Sequence, residues 1–140
     1  MEEKEITDKE FAKVTYHPGL RIGKVLWKRK PEIDEYKIPF QELLEYGKKH
    51  PIDNFLSDIR EQGVISPSHR KWFEQEALPK AIDDVKLKRA AVVFDGNVFK
   101  QYYLNMLLSV TNKYQLPLKT FNSEDKALDW IKKKVEKENK

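Results

Sequence analysis

Ala90, Ala91, Val92, Val93 and Phe94 form an apolar run with no polar residue in it. A strand with one face in water alternates apolar and polar side chains, so a run without alternation needs cover on both faces. This constrains the chain more than any other feature. It calls for a sheet flanked by helices, with parallel strands joined through crossovers. At 140 residues the chain has room for one such domain and too little for two.

The remaining pattern fits that frame. Residues 1–9 are acidic, polar and without periodicity, which predicts a mobile tail ahead of a domain over residues 10–137. Phe11, Val14, Thr15 and Tyr16 read as a strand, and His17, Pro18 and Gly19 as a turn. Leu20, Ile22, Lys24 and Leu26 then alternate with their neighbours up to Trp27, completing a hairpin. Ile33, Tyr36, Phe40, Leu43, Leu44 and Gly47 share one side of a helical wheel, predicting one helix over residues 32–49 despite Pro39. Residues 54–59 read as a short buried strand. Ser66 and Pro67 form a strong helix start, and the helix runs to residue 77. Leu78 and Pro79 should interrupt it before a second piece over 80–84. A helix over 98–112, a strand over 116–121 and a final helix capped by Ser123 follow the apolar run. The expected fold is α/β: a mixed five-stranded sheet, an N-terminal hairpin plus parallel strands, with about four helices.

Composition narrows the function classes. The chain has 27 Lys+Arg against 23 Asp+Glu and a net charge of +4. Its lysine clusters lie apart, each with acids nearby, so no basic face for nucleic acid is expected. No cysteine is present, which excludes disulfides, cysteine nucleophiles and thiolate zinc sites. No apolar run is long enough to span a membrane, and the start carries no signal-peptide core. A cytoplasmic protein is expected.

Few residues carry chemistry. His17, His50 and His69 have no metal-ligand spacing and are expected to be exposed structural histidines. The five glycines are scattered and make no phosphate loop. Asp58 and Asp95 fall at strand ends, where α/β sheets carry function, yet aspartate is also a common turn and capping residue. No nucleophile, base and orienting group can be assembled, so no enzyme, cofactor or metal is expected. In the helix after the apolar run, Phe99, Tyr102, Tyr103, Met106, Leu107 and Val110 read as the core stripe. Leu104 and Leu108 then lie on the outer side, where an apolar pair predicts a protein partner or a homodimer mate. Trp27, Tyr36 and Trp72, with Asp58, are candidates for the rim of a pocket for a small apolar ligand.

Several stretches carry a family likeness over residues 11–135. They are Trp27 at the close of the hairpin, Leu56-Ser57-Asp58-Ile59-Arg60, and Gly63-Val64-Ile65-Ser66 with Trp72 and Pro79. Lys88-Arg89-Ala90-Ala91-Val92-Val93 and Phe121-Asn122-Ser123-Glu124-Asp125-Lys126-Ala127-Leu128-Asp129-Trp130-Ile131 complete them. In this order and spacing the chain resembles the SpoIIAA-like, or STAS/SEC14-type, domains of small bacterial proteins. The resemblance implies a STAS-like fold and two kinds of role. One is protein–protein switching, as in anti-sigma factor antagonists, where a serine at a helix start is phosphorylated. The other is binding of apolar or lipid-like ligands, as in CRAL-TRIO domains. No Asp-Ser-Ser-Gly-type motif is present; Ser66 is the serine at a comparable helix start. The expected function is a non-enzymatic interaction or regulatory module, with a carrier or sensor of a small apolar ligand as the alternative.

Overall fold

A computed structural model of the chain describes residues 2–139. Six strands form one sheet in the order of the sequence: β1 (Lys4–Asp8), β2 (Ala12–His17), β3 (Ile22–Trp27), β4 (Asn54–Asp58), β5 (Arg89–Val93) and β6 (Leu118–Phe121). The first three pair antiparallel and the last four parallel. As its apolar run requires, β5 is interior, buried at every residue between parallel β4 and β6.

Helix α1 (Ile33–Tyr46) joins β3 to β4. A helical stretch over residues 67–85 joins β4 to β5. It consists of α2 (Pro67–Trp72), a π turn (Phe73–Ala77), α3 (Leu78–Lys80) and a second π turn (Ala81–Val85). Helix α4 (Val98–Lys113) joins β5 to β6, and α5 (Glu124–Glu138) follows β6. Strand alternation sorts the side chains between two faces. Val14, Val25, Trp27, Phe55 and Val92 meet α1, the 67–85 stretch and α4. Ile22, Leu56, Ala91 and Val93 meet Ala127, Ile131 and Val135 of α5. Among the described residues no helix is long and apolar enough to cross a membrane.

Three expectations change. The sheet has six strands rather than five, because Lys4–Asp8, assigned to the tail, forms β1 along the edge beside β2. Its side chains are mostly exposed and only Ile6 packs on the core, so it leaves little apolar signal. Ion pairs of Lys13 with Glu5 and of Lys28 with Asp8 hold it in place. Second, Leu78 and Pro79 do not interrupt the helix. Pro79 has no N–H to donate, and a wide turn on each side accommodates it: Leu78 N–H reaches back to Phe73 O, and Lys86 N–H to Ala81 O.

The third change is the facing of α4. Leu104 is 1% exposed and Leu107 is buried with it, whereas Phe99 and Tyr102 are each 67% exposed. The buried stripe is Lys100, Leu104, Leu107 and Thr111, at helical spacing. Lys100 belongs to it because its stem runs inward while its ammonium donates to Ile59 O at 2.9 Å and to Arg60 O at 3.3 Å. Leu104 is therefore a core residue and Leu108 is half-buried, and the pair is not an outward patch.

Candidate functional site

Between the sheet and its three covering helical elements lies a cavity of about 110 Å³. Its floor includes Phe55 and Ser57 of β4 and Ala90 and Val92 of β5. Tyr36, Phe40 and Leu43 of α1, and Leu104 and Leu107 of α4, form two of its walls. The 67–85 stretch closes it with Phe73 and Ala77 from one π turn and Ala81 and Val85 from the other. Three of these side chains, Ala77, Ala81 and Ala90, are too small to fill the space a sheet and helix leave between them. Gly47, just after α1, packs close to the second π turn: a Cβ there would lie 3.1 Å from Val85.

Aromatic rings stiffen one end of the cavity. Tyr36 stacks on Trp27 at 5.4 Å between centroids and meets Phe40 and His69 edge-on at 5.0 Å each. Burial pushes the Tyr36 hydroxyl well above its ordinary pKa, and nearby Tyr103 and Glu74 add to this. Burial also raises Tyr103, with Glu74 adding and Arg70 opposing. Both phenols therefore stay neutral at ordinary pH. No lining residue carries a charge. Ser57 and Gln62, both at least nine-tenths buried, line it with polar side chains. Among the described residues neither side chain has a hydrogen-bond partner.

Of the four proposed rim residues, one lines the cavity. That residue is Tyr36. Trp27 lies behind it, 1% exposed, with its indole Nε1 buried and unpaired. Trp72 is half-buried, edge-on to Tyr36 at 6.1 Å, with the Lys37 ammonium over its ring. Asp58 is in register with Leu26 and Val93, on the α5 face, so it cannot reach the cavity. Its carboxylate accepts from the Arg60 guanidinium at 2.6 and 3.0 Å, a structural pairing at a strand end. Asp95 is exposed and accepts from Asn97 N–H at 3.1 Å. That bond and Lys100 Nζ at 3.3 Å hold its pKa below the ordinary value.

Ser66 is the N-cap of α2, as its neighbours predict: its hydroxyl oxygen accepts from His69 N–H at 3.5 Å. The structure adds a contact that spacing does not reveal. His69 is buried, not exposed, and its Nε2 lies 2.9 Å from Pro31 O. A carbonyl can only accept, so Nε2 carries the proton and Nδ1 accepts from the Ser66 hydroxyl. One hydroxyl thus serves the helix start and a buried imidazole together. His17 is buried as well, its Nδ1 accepting from Leu20 N–H at 3.0 Å, and His50 is half-buried, stacked on Tyr46. No group of three or more potential metal ligands exists among the described residues.

Comparison with known proteins finds no matching family model, no matching curated relative and no matching solved structure. The site residues that sequence reasoning missed are Ser57 and Gln62. Ser57 shares a face with Phe55 by strand alternation, so one polar residue on an apolar face was the available signal. Gln62 sits in a loop, where no periodicity exists to point inward.

Proposed function

We propose that this chain is a non-enzymatic binding module of SpoIIAA-like type that carries or senses a small apolar ligand in the cavity over β4 and β5. The observation that carries this reading is an apolar cavity of about 110 Å³, lined without a single charge and roofed by two π turns. Pockets of this kind bind by burying apolar surface against preformed walls. The N-terminal hairpin followed by parallel strands supports the family reading.

The test is thermal unfolding with benzene as the apolar probe. A ligand that binds the folded chain alone raises the melting temperature as its concentration rises. The parent should show this rise, and Ala77→Leu, which places a larger side chain in the cavity, should not. A parent that melts unchanged in saturating benzene would remove the reading.

A second reading, a protein-interaction module, is favoured by the outer side of α4. Val98, Phe99, Tyr102 and Met106 are 45–73% exposed there. Between Lys100, which is buried, and Lys113 the helix carries no charge. Aromatic residues and methionine with few charges are the composition of interface cores. In this reading these four residues take the place of Leu104 and Leu108. Light scattering or pull-down with Phe99→Ser/Tyr102→Ser should show weaker association with an unchanged melting temperature. Equal association of parent and variant would discard the surface.

A further inference from the structure

The cavity's own atoms restrict what can fill it; this step rests on the ligand reading above. We infer that the occupant is neutral, no larger than a single ring, and carries one hydroxyl or equivalent hydrogen-bonding group, as a phenol does.

Size sets the first restriction. A cavity of about 150 Å³ lined by aliphatic and aromatic side chains takes benzene. The space here is about 110 Å³, which matches one ring with small adjustment of its walls. Charge sets the second. No lining side chain is ionic, and both phenols facing the space remain protonated. A carboxylate or phosphate there would be stripped of water with no counter-charge. Ionic groups act from outside the lining: Glu74, which raises both phenols, Arg70, whose guanidinium lies 5.4 Å from the Tyr103 ring centre, and buried Lys100, whose ammonium is already taken up by Ile59 O at 2.9 Å, Arg60 O and the Asp95 carboxylate.

Polarity sets the third. Buried polar groups in proteins are normally paired. Ser57 and Gln62 are 6% and 5% exposed, face the cavity, and have no partner among the described residues. A ligand hydroxyl can accept from the carboxamide NH₂ or donate to its oxygen, and can do either with the serine. A wholly apolar ligand would leave both groups unpaired, so they select for one polar atom on an otherwise apolar body.

Calorimetric titration of the full chain with benzene, phenol and benzoate tests this directly. Water holds phenol more strongly than benzene, so phenol wins only where the protein pairs its hydroxyl. Phenol should bind the parent about two- to tenfold more tightly than benzene, and benzoate should not bind measurably. Ser57→Ala with Gln62→Leu should abolish the preference for phenol, bringing the phenol-to-benzene affinity ratio to one or below. Should the double variant fail to fold, Ser57→Ala alone, which deletes a single oxygen, should still reduce the phenol-to-benzene ratio. Equal binding of phenol and benzene by the parent would overturn the inference. Benzoate binding as tightly as phenol would do the same, and either result leaves the ligand reading standing. Binding of none of the three would remove that reading itself.

Discussion

The two faces of the sheet solve the same problem in opposite ways. On one face a single helix, α5, covers Ile22, Leu56, Ala91 and Val93, and Ala127 and Ile131 are wholly buried against them. Asn54 and Arg89, buried on that side, are paired. Arg89 donates to Asn54 Oδ1 and to Glu138, while Asn54 Nδ2 donates to Leu20 O at 2.7 Å. On the other face three helical elements and a cluster of aromatic rings provide far more cover, yet they enclose a cavity. Among the described residues they also leave the Trp27 indole N–H and His50 Nδ1 buried without a partner, and Ser57 and Gln62 without a side-chain hydrogen bond. The centre of the α5 face is therefore closely packed, with its open space confined to a rim lined by His17, Lys24 and Glu124, whereas the other face keeps an apolar cavity at its centre. Slack inside a well-covered face is what a binding function needs.

Charges placed on neighbouring residues of β5 probe this most strongly. Val92→Asp and Val93→Asp each bury a carboxylate in an interior strand and should cost several kcal/mol. Val93→Asp should cost more, because Val92 borders the cavity, where water can follow the charge. Denaturant titration reads both, and the reverse order would break the comparison. Overpacking gives the next largest effect. Ala91→Leu, against α5, should cost about 1–3 kcal/mol. Ala90→Leu points into the cavity and should change stability by less than about 0.5 kcal/mol. Equal losses for these two neighbours would mean that the cavity is not available space.

A finer comparison lies at two serine caps, one on each side. Ser123 caps α5 by accepting from Lys126 N–H at 3.2 Å, and Ser123→Ala should cost about 1 kcal/mol. Ser66→Ala removes an equivalent cap and also leaves the Nδ1 of buried His69 without its donor, so its loss should exceed that of Ser123→Ala. Equal losses in thermal unfolding would show that the imidazole contact contributes nothing.

How much of this was legible in the sequence follows from the kind of signal each part leaves. β5 could be read because burial on both faces writes a continuous apolar run. The hairpin and the Ser66 cap could be read because turns and helix starts use specific residues. β1 could not, since an edge strand needs backbone partners and almost no apolar side chains. The facing of α4 was misread because it carries two apolar stripes. The richer one, with Phe99, Tyr102 and Met106, looks like core by composition. The buried one is disguised by Lys100 and Thr111, whose polar atoms reach carbonyls of Ile59, Arg60 and Leu108. The cavity left only a trace, since empty space depends on how elements meet and not on any residue type.

The order of the strands in the sheet has a consequence for how the molecule comes into being. Every strand is hydrogen-bonded to the one that precedes it in the chain, so none has to wait for a partner made later. Such a sheet can grow strand by strand as the chain leaves the ribosome, with loop closure limited to one crossover at a time. The exception is the face that α5 covers. Until the residues after Ser123 emerge, Leu56, Ala91 and Val93 have a sheet around them and nothing over them. The interval of greatest exposure to aggregation therefore falls just before α5 emerges, when the sheet is already in place.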